Sequence, residues 1–191
     1  MDFIELLEKR RSIRNFEDKP VPVALIKEII QDSIKAPNAS NKQAWNFIII
    51  TNAEFMKKLS DISRQGFIDS VKRNPDSPLK EYAKGLENRK EVNCFFDAPC
   101  LVYITGPTNV STIREDVGIL AAYFMLSATN KGLGTCWIGM GGGVRDKAVL
   151  KEMGLPEGHH LIAPIIIGYA KDGKIPPMRD RKEPTILKII E

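Results

Sequence analysis

Three short apolar runs constrain the fold most, because each has the length and the β-branched content of a buried strand. They cover residues 46–51, 100–105 and 161–169. Runs of this kind, bounded by turn residues, predict strands that are covered on both faces. We therefore expect all three to lie in the interior.

Helical spacing of apolar residues fills much of the chain between these strands. At 191 residues the chain is long enough for one domain with a core, and one domain is the default. The longest predicted helix is apolar on nearly every side, so we expect it to be central. The predicted helices cover residues 3–10, 54–62, about 112–130 and 145–153, with one more between Val21 and Pro37.

Two segments lack a pattern that would bury them. Residues 64–93 are polar and carry Pro75, Pro78 and Gly85, which predicts a mobile excursion or lid. Residues 171–191 contain three further prolines and cannot build a core alone. We expect this C-terminal arm to run along a surface, either its own or a partner's.

Charge and hydropathy exclude several classes of partner. The formal net charge is +4, with acidic and basic residues interspersed, which argues against nucleic acid. The most apolar run, residues 118–126, is much shorter than the roughly 20 residues that a membrane helix needs. The chain begins without a basic and then apolar leader, so we expect a cytoplasmic protein with no membrane partner.

The three cysteines, Cys94, Cys100 and Cys136, show neither C-x-x-C spacing nor histidines at zinc-finger distances. We therefore predict no metal site, and reduced, buried thiols.

Residues 10–14 read Arg-Arg-Ser-Ile-Arg, just after the first helix. If this segment is extended, Arg10, Ser12 and Arg14 point to one side. Two guanidinium groups and a hydroxyl then form a cradle for a phosphate. The alternative is a solvated basic turn.

The loop at residues 37–45 gathers Asn38, Ser40, Asn41 and Gln43 before a strand. Such side chains can bind the carbonyl and NH edge of a heteroaromatic ring, or the hydroxyls of a sugar chain. Ordinary turn chemistry explains the same residues.

Glycine is concentrated at residues 132–143, but without a dinucleotide fingerprint or a Walker motif. A loop whose backbone closely approaches a flat ligand fits this composition, as does a flexible connector. There is no G-x-S-x-G elbow, and the pair His159-His160 is expected to be a surface feature of a turn. A hydrolase is therefore disfavoured.

Taken in order, these segments resemble the nitroreductase family. The matching motifs are R-R-S-x-R, P-N-A-S-N-K-Q-A-W-N-F, F-D-A-P, D-V-G and G-L-G-T-C-W-I-G, followed by the basic tail at residues 179–184. The resemblance implies an α+β fold with a mostly antiparallel central sheet flanked by helices. It also implies an intertwined homodimer with two FMN sites at its interface, in which the C-terminal arm embraces the partner.

The resemblance also implies which residues contact FMN. Arg10 would bind the phosphate and Arg14 the ribityl chain or pyrimidine end, with Arg11 and Ser12 beside them. Arg179 and Arg181 would close the phosphate site, and Asn38, Ser40 and Asn41 would come from the other subunit. Trp137, Ile138 and Gly139 would line one flavin face and offer backbone N–H groups to its N5 and O4 edge.

The implied activity is a ping-pong oxidoreductase in which NADH or NADPH delivers hydride to flavin N5. An electron-poor acceptor, such as a nitroaromatic or a quinone, then takes the electrons. No protein acid or base is required, and Arg14 would act as an electrostatic stabiliser.

Two alternatives remain open. One is other chemistry on the same FMN, such as reductive dehalogenation or flavin reduction; the other is a non-catalytic FMN-binding dimer. In dehalogenating relatives a lid Glu, Tyr and Lys grip an amino acid. Glu81, Tyr82 and Lys84 differ from that spacing and are interpreted as a solvated helix turn.

Overall fold

The computed structural model describes residues 1–74, 76–89 and 91–191. Its helices are α1 (Phe3–Lys9), α2 (Val23–Ser33), α3 (Ala53–Lys72), α4 (Lys80–Glu87), α5 (Ile113–Asn130) and α6 (Lys147–Glu152). Its strands are β1 (Asn46–Ile50), β2 (Cys100–Pro107), β3 (Gly134–Trp137) and β4 (His159–Gly168).

The four strands form one antiparallel sheet in the order β1-β2-β4-β3. The long central strands β2 and β4 pair with Val102 opposite Ile165, and a register shift follows Ile104. Strand β1 adds to one side of this pair and β3 to the other. The predicted α+β fold with an antiparallel sheet between helices is therefore confirmed.

Each face of the sheet carries its own hydrophobic cluster. One face is covered by α2 and α5, where Ile26, Leu120 and Phe124 are fully buried. The other is covered by α3 and α6, through Leu59 and Val149, together with residues that follow α1. Alternating side chains of β2 enter both clusters, which explains why this strand is an unbroken apolar run.

The region predicted to be polar and weakly held, residues 64–93, is largely helical. Helix α3 continues to Lys72, ten residues beyond the predicted end at Ile62, and α4 follows. Ile68, Val71 and Leu86 are buried, so the prediction of little apolar surface here is wrong. Their helical spacing is hidden in the sequence by intervening polar residues.

The Gly-rich segment is only partly a loop. Residues 134–137 form β3 because they pair with the free edge of β4, and a 3₁₀ helix covers Gly139–Gly143. The predicted turn at His159-His160 is also wrong, since both residues begin β4 opposite Pro107 and Gly106.

Beyond a short 3₁₀ helix at Lys171–Gly173, the C-terminal arm has no regular structure and every residue from 171 to 191 is exposed. Within the described residues, no helix combines the length and the apolar character that a membrane span requires.

Candidate active site

The segment that follows α1 runs along the outer edge of β3. Ser12 bridges to Thr135 in parallel orientation, and the Ile13 N–H donates a hydrogen bond of 2.9 Å to the Thr135 carbonyl. Ile13 is buried against Gly134, where a Cβ atom would lie 2.6 Å from the Ile13 Cγ1 atom. Glycine at 134 therefore lets the Arg-rich segment dock on the sheet.

Arg10, Ser12 and Arg14 are alternate residues of this docked segment, and Ser12 bridges to Thr135, the residue before Cys136 in β3. Burial raises the pKa of the Cys136 thiol, and the positive charges of Arg14 and Arg10 and the Ser12 side chain act in the opposite direction. Arg11 and Ile13 line one cavity, and Arg10, Ser12 and Arg14 do not. With extended backbone here, this fits the alternation by which Arg10, Ser12 and Arg14 point away from Ile13.

The charges of Arg10 and Arg14 are not neutralised within the chain. Neither side chain forms an ion pair with a carboxylate in the described part of the protein. The Arg14 guanidinium instead lies 5.8 Å from the ring centroid of Phe96, an arrangement typical of a cation–π contact. Two free guanidinium groups beside a hydroxyl can bind an anion such as a phosphate.

Arg11 lies apart from this group. Its Nη1 donates to the Arg10 carbonyl, and its buried Nε has no hydrogen-bond partner among the described residues. It lines an apolar cavity of about 240 Å³ with Ile13 and Leu133, while Arg10, Ser12 and Arg14 do not. The structure therefore separates Arg11 from the other three predicted ligands.

The loop before β1 has an unusual backbone. Ser40, Asn41 and Gln43 have φ angles of 52°, 51° and 49°, in the left-handed region that non-glycine residues rarely adopt. The Asn38 carboxamide oxygen accepts a hydrogen bond of 2.9 Å from the Gln43 N–H, and Gln43 Nε2 donates to Asn41 Oδ1 over 3.0 Å. Such backbone persists only where surrounding contacts hold it, and it is concentrated at functional sites.

Asp116 supplies one of those contacts, a role that the sequence did not predict. Its carboxylate is 5% exposed and accepts hydrogen bonds from the Ala39 N–H, at 2.9 Å, and from the Thr112 hydroxyl, at 3.0 Å. The sequence carries no clear signal for this contact, because Asp116 follows Arg114 and Glu115 in the first turn of α5, where acidic residues are common.

Within one chain, the loop at residues 37–45 lies far from Arg10 and Arg14. The loop enters β1 at one edge of the sheet, whereas Ser12 lies beyond β3 at the other edge. Asn46 pairs near the end of β2, and Gly134 pairs at the end of β4, so the two segments also lie at opposite ends of the strands. With three strand spacings of roughly 5 Å between β1 and β3, a single small ligand cannot easily bridge them.

The three residues predicted to line a flavin face follow one another at the end of β3. Trp137 is 36% exposed, and Gly139 has open space where a Cβ atom would lie. Ile138 is buried, and its N–H donates a hydrogen bond of 2.8 Å to the Pro164 carbonyl. The expectation that Ile138 offers its N–H to a ligand is therefore wrong, because β4 already uses that donor.

Other predicted residues lie on exposed surfaces. Arg179 and Arg181 belong to the C-terminal arm and form no hydrogen bond or ion pair within the described residues. Tyr82 in α4 is 56% exposed, and its ring lies edge-on to Phe67 at 5.8 Å between centroids. No three metal-ligating side chains cluster within the residues that the structure covers.

The chain is similar to several known proteins. The sequence pattern of the Nitroreductase family matches residues 7–169. A protein from Methanothermobacter thermautotrophicus, named as an NADH dehydrogenase/NAD(P)H nitroreductase, is 25% identical over 189 residues, which covers 96% of this chain and 84% of that protein.

One further related protein and one solved structure are also similar to this chain. Iodotyrosine deiodinase 1 of Rattus norvegicus is 26% identical over 195 residues, which covers 95% of this chain and 66% of the deiodinase. The crystal structure of a nitroreductase with bound FMN from Bacteroides fragilis superposes with a TM-score of 0.81 at 24% identity and covers 100% of both chains.

Proposed function

Because the chain belongs to the nitroreductase family, we propose that it is an FMN-dependent oxidoreductase that takes electrons from NADH or NADPH. The observation that carries this proposal is the pair of guanidinium groups of Arg10 and Arg14 without an ion pair in the described residues, on the segment that Ser12 and Ile13 dock along β3. Arg10 is half-buried and Arg14 is exposed. Guanidinium groups without a carboxylate partner can bind an anionic ligand.

The residues present fit FMN. Arg10 would bind the phosphate, Ser12 would donate to a phosphate or ribityl oxygen, and Arg14 would face the pyrimidine end. Gly139 leaves open space that a flat ring can approach. Arg179 and Arg181 would complete the phosphate site once the C-terminal arm is ordered on a partner.

Bound FMN would supply the redox chemistry, which is hydride uptake from the nucleotide and electron transfer to an electron-poor acceptor in separate half-reactions. The chain's own contribution is positioning and electrostatics. The Arg14 guanidinium would place positive charge near the pyrimidine ring, where negative charge would develop on reduction. The ring of Phe96, 5.8 Å from this guanidinium, would help to hold it in place.

A homodimer would complete the site. Asn38, Ser40 and Asn41 lie far from Arg10 in one chain, and a second subunit can bring its copy of the loop to the arginines. An exposed apolar surface on α1 and α5 supports such an interface. Its members are Phe3, Ile4, Leu7, Ile119 and Tyr123, which are 41–63% exposed.

Reductive dehalogenation is the second candidate, and the similarity to iodotyrosine deiodinase favours it. Glu81 and Tyr82 are exposed on α4, where they are free to contact a ligand of a neighbouring subunit. Nitroaromatic, quinone and halotyrosine acceptors would distinguish the two activities in steady-state assays.

The proposal is tested by purifying the protein, recording its visible spectrum and titrating it with NADH or NADPH without oxygen. We expect one FMN per chain and bleaching of its yellow band. A flavin that binds but is not bleached would indicate a non-catalytic FMN dimer, and failure to bind FMN would contradict the proposal altogether.

A further inference from the structure

A large cavity lies at the far end of the Gly-rich segment. Its volume is about 750 Å³, and its walls are the C-terminal half of α3, residues 139–145 and the start of β4. It includes Gly139, from the predicted flavin face, but none of Arg10, Ser12 and Arg14. The cavity therefore adjoins the proposed flavin site without being the phosphate cradle.

The charge of this cavity is strongly positive. Arg73, Arg114 and Arg145 line it, and Asp69 is the one acidic residue among the described residues of its wall, which gives a net charge of +2 with neutral histidines. None of the three arginines forms an ion pair within residues 1–74, 76–89 and 91–191. The Asp69 carboxylate instead accepts a hydrogen bond of 2.8 Å from Gln65.

Arg114 has a setting that folding stability does not explain, and Arg145 is oriented by the backbone beside it. Arg114 is the second residue of α5, at the end of the helix where the backbone dipole disfavours a cation. The Arg145 Nη1 atom donates to the carbonyls of Gly142, at 2.6 Å, and Val144, at 2.9 Å. These bonds orient the guanidinium and leave its other N–H groups for a ligand.

Both histidines of the chain also line the cavity. His159 Nδ1 lies 3.3 Å from the Glu157 carbonyl, and His160 neighbours it at the start of β4. Three arginines and two imidazoles in one cavity make a set of donors suited to phosphate oxygens.

Apart from Ser70, the remaining lining residues are apolar or glycine. Phe67, Met140 and Leu155 are among them, so the cavity can hold a flat ring beside its cationic groups. Its volume lies within the range of small-molecule sites.

We propose that this cavity binds the phosphate-bearing adenosine portion of the nicotinamide nucleotide. That the nucleotide is the electron donor rests on the proposed function. That the site recognises phosphate rests on the residues of the cavity alone. Arg73 and Arg114 would contact phosphate oxygens, Arg145 would be fixed by the Gly-rich backbone, and the adenine would lie on the apolar wall.

The test measures binding of ADP and 2′,5′-ADP to the oxidised protein by calorimetry, which requires no hydride transfer. Arg73→Gln and Arg114→Gln should each raise Kd by about tenfold, since each removes a charge-assisted contact. Arg89→Gln, an exposed arginine of the same charge outside the cavity, should leave Kd unchanged. Flavin content and melting temperature show that the variants are folded.

The outcomes separate this proposal from the general one. Failure of the wild-type protein to bind either nucleotide, or equal Kd values in all variants, overturns the cavity assignment. Binding of benzoate in the same calorimetric experiment, without binding of ADP, also overturns it, in favour of an acidic acceptor. A third outcome is that the protein binds the nucleotides, the cavity variants weaken this binding, and NADPH does not bleach the flavin. That result would support the phosphate site and contradict the proposed oxidoreductase activity.

Discussion

The Asp116 carboxylate in α5 accepts a 2.9 Å hydrogen bond from the backbone N–H of Ala39, 77 positions earlier in the chain. This bond fixes the loop before β1 to the helix that covers the sheet. The adjacent residues Ser40 and Asn41 have positive φ angles, so the loop depends on such anchors.

Asp116→Ala should lower the free energy of unfolding by about 2 kcal/mol, because it removes the acceptor for two hydrogen bonds, one of them to a backbone N–H. Asp116→Asn is the matched control: its amide oxygen can still accept from Ala39, and Thr112 can accept from its amide nitrogen. We expect a smaller loss for Asn, measured by urea unfolding. Equal stability of all three proteins would show that the loop needs no such anchor.

Arg14→Ala should slow flavin reduction on the order of 10- to 100-fold in anaerobic stopped-flow experiments, because the positive charge near the pyrimidine end is lost. Arg14→Lys should recover part of the rate, since it keeps the charge. Phe96→Leu should produce a smaller loss, because it removes only the ring that faces the guanidinium. Full flavin content with an unchanged rate in Arg14→Ala would contradict the role given to this residue.

The strands were predictable because β1, β2 and β4 are apolar on consecutive residues, a pattern that few other structures produce. Strand β3 was not predictable, because its sequence has low strand propensity. It becomes a strand by pairing with β4. The second half of α3 was missed for a related reason: only Ile68 and Val71 mark its buried face over its last turns.

The candidate site, too, was predictable from the sequence only in part. Alternation in an extended segment was enough to group Arg10, Ser12 and Arg14. The contact of Asp116 with Ala39 joins a helix to a distant loop, and the cavity of Arg73, Arg114 and Arg145 joins three elements. No local pattern in a single sequence predicts such contacts between distant residues, since they depend on how the helices pack on the sheet.

The three thiols should be unreactive in the folded protein. Burial raises the pKa of Cys94 to about 11 and that of Cys100 to about 12, and raises the pKa of Cys136. Because a raised pKa keeps a thiol protonated until the pH exceeds it, little thiolate forms at pH 8. A thiol reagent at pH 8 should label almost none of the native protein and all three cysteines in denaturant. Rapid labelling of one native cysteine would show local opening.

Removal of residues 174–191 should convert the protein to a monomer with greatly weakened FMN binding. The deleted arm contains Arg179, Arg181 and the exposed apolar residues Ile186, Leu187, Ile189 and Ile190, which a single chain leaves in water. Light scattering after size-exclusion chromatography measures the oligomeric state.

A full-length control separates the two effects of that deletion. Replacement of both Arg179 and Arg181 by Ala should preserve the dimer and weaken FMN binding alone, because the apolar contacts remain. A truncated protein that stays dimeric and retains FMN would show that the arm contributes neither contact.

Gly134→Ala tests whether the docking of residues 10–14 on β3 creates the cofactor site. The new Cβ atom would lie 2.6 Å from Ile13 Cγ1 and 2.8 Å from Ile13 Cβ, so the segment must move outward. We expect a loss of roughly 1–3 kcal/mol in stability from overpacking. FMN affinity should fall as well, because Arg10, Ser12 and Arg14 move with Ile13.

Gly85→Ala in α4 is the control, since its Cβ atom would meet only the Arg89 Nη2 atom, at an ordinary 3.5 Å. There alanine should stabilise the helix by up to about 1 kcal/mol. If Gly134→Ala lost stability but bound FMN as tightly as the unmodified protein, the arginines would not depend on their position beside β3. The phosphate cradle would then have to form from the arm and loop of the second subunit instead.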